Sequence, residues 1–371
     1  VSAELIQRFQ TMLDPMLGDL QQLVEAESPS RDREAVAACT ALVASMGQRL
    51  LGALPDRAEV DGQPYLSWSF GAPRVALLCH LDTVWPMGTI DRLPFRVDGD
   101  RAYGPGIFDM KASVVQSFHA LAELPSRDGI ELLITSDEEI GSPTSRPVIE
   151  ALARRVEAVL VIEPSHNGAL KIGRKGVGMY RLHIRGRAAH AGFPHEGVNA
   201  TLELAHQVLA VAALADEEAG TTVTSTVAAS GTTNNVVPAE ARVDIDVRVP
   251  NAAEQDRVDA ALRGLQPWVP GATLGLSGGP NRPALEPAAT MALFEVARRI
   301  GSEIGLGELT GATVGGASDG NFAAAVGAQT LDGLGCTGDG AHADHEHIVI
   351  SSLPERAALL TALLQDLLAQ S

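Results

Sequence analysis

Cysteine is scarce in this chain, and what there is stands apart. The three cysteines among 371 residues, Cys39, Cys79 and Cys336, are widely spaced, odd in number and never in a CxxC pair. That argues against a disulfide framework and for free thiols in a reducing compartment, so a cytoplasmic location is expected. No apolar run reaches the roughly 20 residues that a membrane span needs. The opening VSAELIQRFQ lacks a basic stretch followed by an apolar one, so it does not read as a secretion leader; a leader removed before Val1 is left open. Positive charge is short as well, with 28 Lys and Arg against 46 Asp and Glu, a formal net charge of −18. No nucleic-acid or anionic-membrane partner is expected from that balance, and the surplus of carboxylates suits cations. Long internal repeats and low-complexity tracts are also missing.

What is present is ordinary globular material, 45% hydrophobic and 20% charged, and long enough for a large core and two domains. The first fifty residues read as amphipathic helices, SAELIQRFQTMLDPMLGDLQQLVEAE interrupted at Pro15 and RDREAVAACTALVASMGQRLLGAL after an SPS break. PRVALLCH, ELLIT and EAVLVIEP read as buried strands, with KASVVQSFHALAEL a helix between the first two. This alternation predicts an α/β unit with a mixed, mostly parallel sheet flanked by helices. From about residue 175 the pattern changes. GVGMYRLHIRGR and EARVDIDVRVP alternate apolar and polar, and with the intervening segments they give the order β-α-β-β-α-β. ATLGLS is expected as a short last strand and GGPNRP (278–283) as a return hinge. The predicted organisation is a discontinuous larger domain, 1–174 and 283–371, with a ferredoxin-like domain, 175–282, inserted in it.

The larger domain places metal-ligand residue types just past the carboxyl ends of its strands, where open α/β sheets bind ligands. His80 and Asp82 follow VALLC, Glu138 and Glu139 follow ELLITSD, and Glu163 follows VLVI. Asp109 in YGPGIFDMK and His342 in GDGAHADHEH complete a set of nitrogen and oxygen donors without thiolate. Such a set suits Zn²⁺, with Co²⁺ and Mn²⁺ as substitutes. Adjacent carboxylates repel, and cations at about 2 Å would hold them ionised. Taken singly each motif has a plainer reading: Asp109 as the cap of a helix starting near Met110, the Glu138–Glu139 pair as a solvated loop, HADHEH as a surface tract or a metal tract of its own.

Taken together, HLDTV, YGPGIFDMK, TSDEEIGS, the IEP ending at Pro164, RAAHAG, NNVVPAEARVDIDVR and GAHADHE resemble the co-catalytic dizinc exopeptidases and deacylases. This family includes glutamate carboxypeptidases of the glucarpidase type, aminoacylases and succinyl-diaminopimelate desuccinylases, and the resemblance leans to the first branch. It implies a zinc-exopeptidase-like fold whose inserted domain serves as a lid and for homodimerisation. It implies two Zn²⁺ per subunit, one on His80 and Glu163, the other on Glu139 and His342, with Asp109 bridging. Glu138 would be the general base, Asp82 would orient His80, and His190 would stabilise an oxyanion in the partner's site. Asn235, Arg248 and Arg282 fall where relatives contact substrate, and Gly315 and Gly316 would line the pocket with backbone. Arg248 has a second reading, an outward strand residue paired with Asp246. The implied activity is hydrolysis of a C–N amide bond in a small peptide or amide substrate. The first expectation is a carboxypeptidase releasing a C-terminal amino acid such as glutamate. The alternatives are an N-acyl amino-acid deacylase and a non-catalytic binder of the same fold. The resemblance also implies a cis peptide between Asp109 and Met110.

Overall fold

Burial on both faces decides where the central sheet runs. In the computed structural model, which describes residues 2–369, strands Val75–His80 and Ile130–Thr135 are buried along their whole length. Side chains alternate across a strand, and here each face has its own cover. Val75, Leu77, Cys79, Ile130, Leu132 and Ile134 join a core completed by helices Leu13–Glu25, Arg33–Leu51, Ala112–Ala122 and Ser352–Ala369. Ala76, Leu78 and Leu133 face the other way, toward Ile149 and Leu152 of helix Arg146–Ala153 and Phe322 of helix Gly320–Ala325. Burying each such Leu or Ile contributes about 1.5–3 kcal/mol, and a one-residue slip would swap the two faces.

The sheet order is Asp56–Val60, Gln63–Phe70, Ile130–Thr135, Val75–His80, Ala158–Val161, Gln329–Leu331. The last four strands are parallel, and the first two join antiparallel at one edge. The mixed, mostly parallel sheet flanked by helices is therefore as expected. Its parallel strands release their chains on one side, which is where His80, Glu138 and Glu163 follow. Among the described residues no helix is long and apolar enough to cross a membrane.

The chain divides into two compact units. One comprises residues to Gly173, Glu286–Val314 and from Ser318 onward; the other is Arg174–Leu285 with Gly315–Ala317. The second unit holds a four-stranded antiparallel sheet in the order Thr222–Ser230, Glu240–Val249, Gly176–Arg185, Thr273–Arg282. Tyr180, Leu182, Ile184, Val243, Ile245 and Val247 are buried against Leu204 and Val211 of helix Ala200–Ala212 and Val258 and Leu262 of helix Ala252–Arg263.

Three local expectations need correction, and the plainer reading of Asp109 falls away. The first helix ends at Thr11 and the next runs Leu13–Glu25, so the break lies at Met12 and Pro15 sits in a first turn. Proline clashes with the carbonyl four residues back and has no N–H to give it, so the chain breaks before Pro15, not at it. The last strand of the second unit continues through GGPN to Arg282 and replaces the hinge. It is an edge strand, where Pro280 costs no inward hydrogen bond, and the irregularity it causes is a register shift between Pro280 and Arg282. Gly315–Ala317 group with the second unit, where the Arg174 guanidinium donates to the carbonyls of Gly316 (3.1 Å) and Ala317 (3.2 Å). Asp109 does not cap a helix: it lies in a wide turn, Ile107–Lys111, with non-helical backbone angles, and the helix after it starts at Ala112 without a side-chain cap.

Candidate metal centre

His80 is the last residue of Val75–His80, still paired with Thr135, and the strand's alternation turns it away from the larger core that Cys79 joins. His80 is buried, and its ring is held at Nδ1 by the backbone carbonyl of Asp82 at 3.0 Å. That leaves Nε2 for Asp109 Oδ1 at 3.2 Å and Glu163 Oε1 at 3.4 Å. The other oxygen of Asp109 faces His342 Nε2 at 3.4 Å, and that same nitrogen meets Glu139 Oε2 at 3.2 Å. Two trios result, His80–Asp109–Glu163 and Asp109–Glu139–His342, each with its donor atoms within 4.8 Å of one another. Asp109 belongs to both, one carboxylate oxygen to each. The Asp109–Met110 peptide is cis, as expected.

The three consecutive acids divide. Asp137 turns inward, accepting from Thr144 N at 2.8 Å, Thr144 Oγ1 at 2.7 Å and Ser145 N at 3.2 Å. Glu138 and Glu139 occupy the single 3₁₀ turn Glu138–Ile140. Asp82, fully buried, fastens that turn: Oδ1 accepts from Glu138 N and Oδ2 from Glu139 N, both at 3.2 Å. Glu139 joins a trio, whereas Glu138, also buried, is in neither.

The charges of the trios are interdependent. Burial opposes a charge on His80, yet hydrogen bonds to Asp109, Asp82 and Glu163 hold its pKa well above that of ordinary imidazole. Hydrogen bonds to Asp109 and Glu139 carry His342 to about 10. Burial alone would raise Asp109, but hydrogen bonds with His342 and His80 keep its carboxyl well below the usual range. Burial raises Glu139, whose Oε1 is enclosed without a hydrogen-bond partner. A buried carboxylate oxygen without a partner is costly. Two carboxylates and two imidazoles around one shared acid, one oxygen still lacking a donor, fit divalent cations in chemistry and spacing.

The HADHEH tract is not a metal site of its own. Among the described residues only His342 of that tract joins a trio; His345 is exposed, and the His347 ring donates from Nδ1 to the His345 carbonyl at 2.9 Å. Two residues that local sequence did not single out support the site. Ser30, in the SPS break, donates from Oγ to Asp82 Oδ2 at 2.6 Å. Glu346 accepts from Gly106 N and Phe108 N (both 2.9 Å), Asp109 N (3.1 Å) and Trp85 Nε1 (2.7 Å). Burial pushes the Glu346 carboxyl up to about 7 against the pull of those donors.

The remaining expected residues lie in the second unit. His190 is exposed on the short strand Ala189–His190, which pairs with Val236–Val237, and its Nδ1 accepts from Gly192 N at 3.0 Å. Asn235 is exposed beside it, its carbonyl accepting from Ala191 N at 2.9 Å. Arg248 makes a two-pronged ion pair with Asp246, 2.8 and 2.9 Å, the second of its two readings. Arg282 is buried at the end of its strand. A Cβ on Gly315 or Gly316 would meet open space.

Comparison with known proteins follows the same lines. The model of peptidase family M20/M25/M40 matches residues 76–366. The chain is similar to carboxypeptidase G2 of Pseudomonas sp. (strain RS-16), 34% identical over 316 residues, covering 80% of this chain and 74% of that one. It is similar also to succinyl-diaminopimelate desuccinylase of Halorhodospira halophila, 29% identical over 330 residues, with 80% and 84% covered. Among solved structures, an M20 family metallo-carboxypeptidase from Sulfolobus solfataricus superposes with a TM-score of 0.72 at 17% identity, covering 94% of this chain and 98% of that one.

Proposed function

The chain belongs to peptidase family M20/M25/M40, a metallohydrolase of peptide or amide bonds, and on that basis we propose a zinc-dependent carboxypeptidase that releases a C-terminal amino acid such as glutamate. The observation that carries the reading is Asp109, shared by two trios of which Glu139 joins one while its sequence neighbour Glu138 joins neither. His80 and Glu163 would hold one Zn²⁺, Glu139 and His342 the other, with Asp109 between them. When bound, such a pair of ions lowers the pKa of a water and polarises the scissile carbonyl.

The chain's own residues do the rest. Glu138 takes the proton of the attacking water and delivers it to the leaving nitrogen as the C–N bond breaks and the C–O bond forms. Asp82 keeps His80 in one ring orientation and holds the Glu138–Glu139 turn. Arg282 clamps the substrate's terminal carboxylate, for which a guanidinium fork is suited. Asn235, Gly315 and Gly316 contact substrate.

His190 donates to the developing oxyanion of a partner subunit, in a homodimer formed through the second unit. The support is local. His190 is exposed, and helix Ala200–Ala212 exposes Leu202 and Leu209, with Trp268 also exposed, an apolar set that a second copy would cover.

Similarity to a desuccinylase favours a second reading, an N-acyl amino-acid deacylase. One assay separates them. The zinc-loaded protein is given a peptide with C-terminal glutamate, its C-terminally amidated form, and N-acyl amino acids. Cleavage of the first with none of the amidated form supports the carboxypeptidase; turnover confined to N-acyl amino acids replaces it with the deacylase.

A further inference from the structure

We propose that Glu346 is a positioning residue for the reaction, the anion that sets Asp109 between the two metal positions; this rests on the metal-centre reading above. Glu346 stands four residues after His342, but its carboxylate is spent on another part of the chain, more than 230 residues away. Oε1 accepts from Phe108 N and Asp109 N, and Oε2 from Gly106 N and Trp85 Nε1. Gly106 has φ +70°, and its N–H together with those of Phe108 and Asp109 converges on the one carboxylate, while the Ile107 N–H turns away to Gly104 O. Converging backbone N–H groups make an anion site, and here the chain supplies the anion itself.

All four partners are donors. Only an acceptor on both oxygens satisfies them, and a side-chain amide would set its NH₂ against two N–H groups. The bond to Asp109 N acts on the residue whose two oxygens face His80 and His342. The backbone N–H of Glu346 ties it into the His342 loop by donating to Ala343 O at 2.9 Å, while its carbonyl accepts from Gly104 N, ahead of the Asp109 turn, at 3.4 Å. One residue therefore couples the loop of the shared ligand to the loop of His342. Groups that orient a ligand in this way typically change metal affinity by roughly 10–100-fold when lost.

The test is Co²⁺ titration of the metal-free full-length protein, followed by visible absorption, with thermal unfolding of the metal-free forms in parallel. Glu346→Gln is expected to weaken Co²⁺ binding roughly tenfold or more for both equivalents and to alter the cobalt spectrum, since both positions share Asp109. A purely structural Glu346 would lower the metal-free Tm and leave affinity and spectrum of the folded protein at wild-type values; that result overturns the proposal. Trp85→Phe removes one donor and keeps the carboxylate, and a weakening of a few-fold is expected. Should Glu346→Gln fail to fold, Trp85→Phe decides, and wild-type affinity there overturns the proposal. Asp109→Asn is the control for the underlying reading: if it binds two Co²⁺ as wild type does, the metal-centre assignment fails irrespective of Glu346.

Discussion

Asp82 accepts the backbone N–H of Glu138 on one carboxylate oxygen and that of Glu139 on the other, each at 3.2 Å. A single buried acid thus sets the peptide planes of two neighbours to which different tasks are proposed. Its Oδ2 also takes the Ser30 hydroxyl at 2.6 Å. Ser30→Ala should leave the metals bound and lower stability by about 1.5–3 kcal/mol, the usual worth of a hydrogen bond to a carboxylate, with a fall in kcat of a few-fold. Asp82→Asn should cost far more, because the amide NH₂ would face an N–H donor. Thermal unfolding, metal content and steady-state rates measure both, and equal effects from the two variants would contradict this division.

The split between the adjacent glutamates gives a second expectation. Glu138→Gln should keep two metals per chain while kcat falls by roughly 10²-fold or more, the scale of a lost general base. Glu139→Gln should instead lose metal. Atomic absorption with kinetics on the same preparations checks both. A fully active Glu138→Gln would end its assignment as the base.

Protons should leave when metal enters. His342 is carried to about 10 by Asp109 and Glu139 in the metal-free chain, so below that pH its ring is charged, whereas a ligand imidazole is neutral. Metal affinity therefore rises with pH up to that value, and calorimetry in buffers of different ionisation enthalpy should record proton release. The sign for the metal-free fold is opposite. A histidine whose pKa is raised on folding stabilises fully below its unfolded value, about 6.5, and loses that contribution as pH rises toward about 10. The Tm of chelator-treated protein should fall over that window and that of the loaded protein should not. A metal affinity flat between pH 6 and 8 would speak against charged His342.

Subunit mixing tests the role proposed for His190. Glu138→Gln and His190→Ala should each be nearly inactive alone. Refolded together in equal amounts, half of the dimers are mixed and each holds one site with both residues intact, so activity should return to roughly a quarter of wild type. A mixture as inactive as its components, with exchange confirmed by differently tagged chains, would place His190 in its own subunit's reaction or in none.

Short-range pattern was enough for much of this molecule. Runs of consecutive apolar residues such as VALLC and LLI declare strands buried on two faces, and the period of two in Gly176–Arg185 and Glu240–Val249 declares a sheet covered on one. Ligand-type residues immediately after such strands name the candidates His80, Glu139 and Glu163, since the carboxyl ends of parallel strands are where an open sheet leaves room. Even the pairing of Arg248 with Asp246 is local, two residues apart on one face of a strand. Folding alone decided what depends on residues far apart in the chain. Asp109 meets both His80 and His342 only in the folded chain; Ser30 reaches Asp82, and Glu346 reaches Gly106, Phe108 and Asp109, over 52 and 237–240 residues. Periodicity reports which way a side chain faces, but a hydrogen bond across such a separation depends on where two loops come to rest, and nothing in either loop's own sequence encodes the other's position.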